Sequence, residues 1–146
     1  MDCPACRRVA LARSRESGPL FIGELDETVV FLHEHQRYEG WCVLFLKEHA
    51  EHLSDLSIER QTRIFAEVAG VAAAVREVVR PRRINYECLG NRLAHVHWHV
   101  IPRYAPPIDP DPRETVWVRP VAEREAGHDA QRAALLVARL RRAIAG

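Results

Sequence analysis

Apolar residues fall into blocks of two different periods along this chain. Positions 28–32 (TVVFL) and 40–46 (GWCVLFL) are short runs rich in β-branched and aromatic side chains, flanked by polar segments, and read as strands of an antiparallel sheet. The polar stretch between them, 33–39, reads as a loop. From Ser57 the period changes. Ser57 is an N-cap with Glu59 in the first turn, and Ile64, Phe65, Val68, Ala72, Val75 and Val79 recur close to the helical period. An amphipathic helix is predicted over 57–80, stopped by Pro81. Positions 83–89 alternate as a third strand closed by Gly90, and 95–101 form a fourth that Pro102 ends. A last helix runs from about Asp129 to Ala145, with Val137, Leu140 and Ile144 on one side and Arg139, Arg141 and Arg142 on a solvated face. Strands, one long crossover helix and further strands make an α+β domain.

With 146 residues, of which 47% are hydrophobic and 28% charged, the chain is the size of one folded domain. The core is expected over about 18–104, followed by a Pro-rich segment at 102–112, which is the candidate linker, and a C-terminal extension at 113–146. Twenty-one Lys and Arg against twenty Asp and Glu give no general pull toward nucleic acid or an anionic membrane. Neither kind of partner is expected, and any affinity for phosphate must be local. The start of the chain lacks a basic segment followed by an apolar run, and no stretch approaches the ~18 apolar residues of a membrane span, so a cytoplasmic protein is expected. In that compartment Cys3, Cys6, Cys42 and Cys88 should be thiols, and the Cys-x-x-Cys pair Cys3 and Cys6 reads as ligand or redox chemistry.

The segment richest in chemistry is GNRLAHVHWHVIPR at 90–103. On a strand, His95, His97 and His99 project to one face, and Val96, Trp98 and Val100 to the other. A buried apolar side would hold the histidine side rigid. A neutral imidazole whose one nitrogen is hydrogen-bonded presents a lone pair on the other, which makes the middle ring, His97, the best-placed nucleophile. His-x-His on a strand also suits a zinc or iron ion. Spacing alone leaves both readings open.

HVHWHVI resembles the histidine-triad motif, His-φ-His-φ-His-φ-φ with φ apolar, of the histidine-triad nucleotide hydrolases and transferases. The likeness reaches back through Gly90, Asn91, Asn85, Tyr86 and the KEH run at 47–49, covering about 20–104. Within the family the LGN run before the triad and the IPRY run at its end are most similar to the bacterial branch labelled diadenosine tetraphosphate hydrolase-like. This resemblance implies a histidine-triad fold and attack by His97 on an α-phosphorus to give a nucleotidyl-histidine. It implies that His99 touches the phosphate and helps handle the leaving group's proton, while the backbone carbonyl of His95 orients the His97 ring. Asn91 stands near the scissile oxygen and Asn85 near the family's phosphate-side asparagine. His33 falls where relatives often carry a residue for the ribose hydroxyls, Phe31 falls at the base pocket or in the core, and Trp41 replaces a frequent histidine.

The same resemblance implies a small-molecule nucleotide substrate, a homodimer, and no cofactor for the chemical step. A structural zinc is implied by Cys3 and Cys6 with His49 and His95, as in some relatives, and His52 is a possible substitute ligand. Trp117, beyond the Pro-rich segment, would pack on the core, on a partner subunit or over the active site.

Overall fold

The computed structural model describes every residue except 1, 2, 15 and 128. Five strands, β1 (Phe21–Glu24), β2 (Thr28–Leu32), β3 (Cys42–Leu46), β4 (Arg83–Glu87) and β5 (His97–Arg103), form one antiparallel sheet in the order β1-β2-β3-β5-β4. Its helices are α1 (Pro4–Ala12), α2 (Ile58–Val79), α3 (Val121–Arg124) and α4 (Ala130–Ala145). This is the expected α+β histidine-triad architecture. Among the described residues no helix is long and apolar enough to cross a membrane.

Alternation along the strands divides the interior in two. Val30, Leu32, Leu44, Leu46, Trp98 and Val100 point to one side and pack on α2 and α4, with Ile64, Val68, Val75, Leu136 and Leu140 from the helices. Val29, Phe31, Val43, Phe45 and Ile101 point to the other side, under α1, Tyr38, Trp41 and Val116. The long helix forms as its sequence dictates. Ser57 accepts a hydrogen bond from the Arg60 N–H, and Arg80 ends the helix in a left-handed conformation at φ 48° before Pro81.

Several expectations are corrected. Phe65, read with the apolar stripe of α2, is 49% exposed; it sits at the helix margin and meets Trp98 edge-on at 5.2 Å. Pro102 lies inside β5 rather than ending it. Its missing N–H faces the β3 side, where pairing has already stopped at Val100 opposite Cys42, so no ladder bond is lost. The strand begins at His97, leaving His95 just outside it. Three elements were not read from the sequence: β1, four residues long with a register shift between Phe21 and Gly23, α1, and the short α3.

The Pro-rich segment is fastened rather than free. Arg103, buried at the end of β5, makes two hydrogen bonds to the Asp109 carboxylate at 2.6 and 3.1 Å and another to the Glu114 carbonyl at 2.7 Å. Such a planar, bidentate pair fixes direction as well as distance. The extension then enters the core through Ala133, Leu136, Val137 and Leu140 of α4. Two arginines of that helix are tethers: Arg139 donates to the Val78 carbonyl at 2.7 Å, and Arg141 to those of Ile22 and Phe21.

Candidate active site and metal cluster

Register brings the functional side chains together on the face of the sheet away from α2. His97 is paired with Phe45, His99 with Val43 on one side and with Glu87 on the other. His97 is buried, its ring stacked near Phe45 at 5.8 Å, and its Nδ1 lies 2.7 Å from the His95 carbonyl oxygen. A carbonyl only accepts, so Nδ1 carries the proton and Nε2 keeps the lone pair. The His99 ring stands 5.2 Å from that of His97. His99 Nδ1 accepts from the Trp41 indole N–H at 3.1 Å, and burial, followed by the neighbouring His97 and His33, pushes the ring down to about 3.

Around these two rings lie His33, Trp41 and Trp117. His33 stacks on Trp41 at 4.2 Å with the planes 12° apart, and burial lowers its pKa to about 4. Trp117 packs both over the site and against the core on this face, 5.4 Å from His99 and 5.6 Å from Trp41, with its indole N–H bonded to Glu87. Asn91 joins His97, His99 and Trp117 in lining a cavity of about 240 Å3, and also lines a neighbouring one of about 390 Å3 with His95 and His97.

Not every expected residue arrives there. Asn85 pairs with Ile101, one step further along β4, and lines a separate arginine-rich cavity with Arg82, Arg83 and Arg113; Glu87 takes the place beside His99. Phe31 is 3% exposed, and the Arg8 guanidinium of α1 lies 5.0 Å over its ring. Arg8 and Glu87 were missed. Both are charged residues on elements whose partners are set by distant pairing, and local pattern carries no signal for that.

His95 belongs to a different group from the other two histidines, which corrects the expected row of three rings. Its Nε2 is bonded to the Leu46 carbonyl at 2.8 Å, so the lone pair on Nδ1 is turned toward Cys3, Cys6 and His49. Cys3 is the buried N-cap of α1 and Cys6 lies in its first turn. Four ligand atoms converge within 4.8 Å of one another. Sulfur and nitrogen lie 3.5 Å apart for Cys3 and His95 and for Cys6 and His49, and 3.6 Å for Cys6 and His95, while the two Nδ1 atoms are 3.2 Å apart. A tetrahedron built on Zn–S of ~2.3 Å and Zn–N of ~2.05 Å has edges of roughly 3.6 Å from sulfur to nitrogen and about 3.3 Å between nitrogens. The donor set and its spacing are thus compatible with zinc. Burial holds the His95 ring below the ordinary histidine value and raises the Cys6 thiol. His52 is exposed at the start of a 3-10 turn and lies outside this group.

Comparison with known proteins agrees with this geometry. The chain resembles a histidine triad protein from Bradyrhizobium japonicum, with 27% identity, 85% of this chain and 89% of that one covered and a TM-score of 0.70. A histidine triad protein from Marinobacter aquaeolei VT8 shares the fold at a TM-score of 0.75 with 22% identity over 86% of this chain and 88% of that one. So does a zinc-bound histidine triad family protein from Mycobacterium smegmatis, at a TM-score of 0.70 with 20% identity over 99% and 94%. Among curated proteins, Protein hit of Bacillus subtilis (strain 168) is 29% identical over an 88-residue alignment; 57% of this chain and 61% of that relative, less than two thirds of its length, are covered. The model of the HIT domain matches residues 14–106, and with the triad, the sheet and the long helix in place, the chain belongs to the HIT domain family.

Proposed function

We propose that this protein hydrolyses a nucleotidyl conjugate, such as a dinucleoside polyphosphate or nucleoside phosphoramidate, at the α-phosphate through a nucleotidyl-histidine on His97. The observation that carries this reading is the 2.7 Å bond from His97 Nδ1 to the His95 carbonyl, which in the neutral ring leaves the lone pair on Nε2, in a side chain that lines a cavity. Nε2 attacks phosphorus, and the bond to the leaving group breaks with its electron pair. The carbonyl of His95 then faces the positive charge of the nucleotidyl-imidazolium. Water displaces the ring in the second step and loses its proton to solvent. His99 lies on the phosphate side, and Asn91, from the loop before the triad, reaches the scissile oxygen. His33, whose ring lies 6.3 Å from that of His99, is read as a ribose contact. With another acceptor in place of water, the same intermediate gives a nucleotidyltransferase.

Cys3, Cys6, His49 and His95 would hold a structural zinc, whose role is to fasten α1 and the backbone of His95 beside the nucleophile; no step of the reaction passes through it. The Mycobacterium relative is described as zinc-bound, which supports the assignment. All four cysteines are thiols, as suits a cytoplasmic protein. We read the protein as a homodimer joined at β4, a sheet edge on which Tyr86 is 52% exposed.

The test is intact-mass analysis of wild type and His97→Ala after brief mixing with diadenosine tetraphosphate and with adenosine phosphoramidate. A transient nucleotidyl adduct on wild type alone is expected. Product formation by His97→Ala at the wild-type rate, or no adduct and no product with either substrate, rejects the mechanism.

A further inference from the structure

The ring beside the nucleophile is held by a residue outside the triad. Trp41 is fully buried, and its indole Nε1 lies 3.1 Å from His99 Nδ1, with the rings edge to face at 5.7 Å. An indole nitrogen can donate a hydrogen bond and cannot accept one. His99 Nδ1 is therefore the unprotonated nitrogen, and a neutral ring carries its single proton on Nε2. His33 stacked on the indole and Trp117 in T-shaped contact with it at 5.6 Å keep that donor in place. A second proton on His99 would have to go onto Nδ1, setting N–H against N–H beside the fully buried Trp41.

This arrangement limits what His99 can do. When the bond from the α-phosphorus to an oxygen of a phosphate chain breaks, the electron pair stays on that oxygen, which is stable without a proton near neutral pH. When the bond runs to nitrogen, the departing amine must gain a proton. Were His99 to supply its Nε2 proton, it would be left as an imidazolate, since Trp41 has no proton it can pass on in exchange. Building on the reading of His97 as nucleophile, we propose that Trp41 is a positioning residue that locks His99 as a neutral Nε2–H donor. In that state His99 hydrogen-bonds to a phosphate oxygen without protonating the leaving group, and the site prefers phosphate-chain leaving groups over amines. The role in leaving-group proton transfer that the family resemblance gives His99 is replaced by electrostatic stabilisation of the developing negative charge.

Ring tautomers are read directly by long-range 1H–15N correlation spectra of the 15N-labelled full chain near neutral pH, with the His99 signals identified by their loss in His99→Gln. The expected result in wild type is a protonated Nε2 and an unprotonated Nδ1. A protonated Nδ1 overturns the proposal. Trp41→Phe keeps an aromatic ring and removes the donor, and should shift both His99 nitrogens toward a mixture of tautomers. In parallel, kcat/KM for diadenosine tetraphosphate should exceed that for adenosine phosphoramidate by more than about tenfold in wild type, and this ratio should shrink severalfold in Trp41→Phe. A wild-type ratio below one, or a ratio and spectrum unmoved by the substitution, sinks the assignment. If Trp41→Phe does not fold, the wild-type spectrum and ratio still decide. If neither substrate turns over, the hydrolase reading fails, while the spectrum separately judges the tautomer.

Discussion

Two hydrogen bonds, each to a group with only one possible role, set the state of both active-site imidazoles. A carbonyl holds the proton on Nδ1 of His97, and an indole keeps the proton off Nδ1 of His99, so the two neutral rings present the same nitrogen, Nε2, to the cavity in opposite states, bare on His97 and protonated on His99. The burial of His33 and His99 also affects folding. Below the ordinary histidine value of 6.5 the unfolded chain takes up a proton at each ring, whereas the folded chain resists until about 4 for His33 and about 3 for His99. Their contribution to stability is fully present above ~6.5 and is lost as pH falls toward ~4, each ring adding a slope of ~1.4 kcal/mol per pH unit in that window. Urea midpoints of wild type and His33→Gln between pH 7 and 4.5 should show the variant losing stability less steeply, by about that amount; groups remote from His33 contribute equally to both and cancel, and burial, the larger cause of the His99 shift, stays in place. Parallel lines for the two proteins would show that His33 protonates freely in the native state. The triad was legible in the sequence because it is a local motif with strand periodicity. The tautomers were not, because they depend on Trp41 and on a carbonyl whose direction only the folded backbone sets.

Helix α1 shows what a short element needs in order to stay in place. Nine residues are marginal as an isolated helix, and this one has no side-chain cap. Its buried residues are Ala5, Val9 and Ala12, two of them alanines, so the two cysteines at its start are the strongest attachment available. Metal analysis should find about one zinc per chain, and Cys3→Ser with Cys6→Ser should abolish binding. We expect that double variant to melt roughly 5–10 °C lower, as a loss of ~2–3 kcal/mol does in a domain of this size, with amide exchange accelerated first in residues 4–12. Unchanged melting and exchange would mean that packing alone seats the helix. The Cys-x-x-Cys pair and its partners His49 and His95 were legible as a donor set, yet α1 itself was not, since its pattern is too short to distinguish from an irregular terminus. β1 escaped notice for a similar reason: four residues with a glycine and a register shift carry no usable period.

Across the whole molecule, the part most poorly read was the C-terminal third. Prolines at 102–112 suggested a linker, but proline records only the local constraint on φ, and the decisive contact is the Arg103 to Asp109 pair, both partners shut away from water. Through it and α4, residues beyond the family model's match at 14–106 supply Trp117 to the site and Leu136 and Leu140 to the core. The opposite edge of the sheet is where a second copy is expected. Tyr86→Asp places a charge on the outer strand and should convert the protein from dimer to monomer in analytical ultracentrifugation, with the fold retained; a wild-type monomer, or a variant that still pairs through this edge, rejects that interface.

The sheet with two dissimilar faces has a consequence for how such a protein can change over time. One face is closed by α2 and α4 and is mostly aliphatic, with Trp98 and Cys42 as exceptions; the other carries the imidazoles, the Cys3 and Cys6 thiols and the aromatic rings around the site. Because neighbouring residues of a strand serve opposite faces, drift in the aliphatic layer alters stability while leaving the reactive layer's geometry to its own contacts, and a new substrate can be accommodated by replacing residues such as His33 or Trp117 without dismantling the layer that keeps the chain folded. The two faces form separate arenas of selection, written in alternate letters of the same strands.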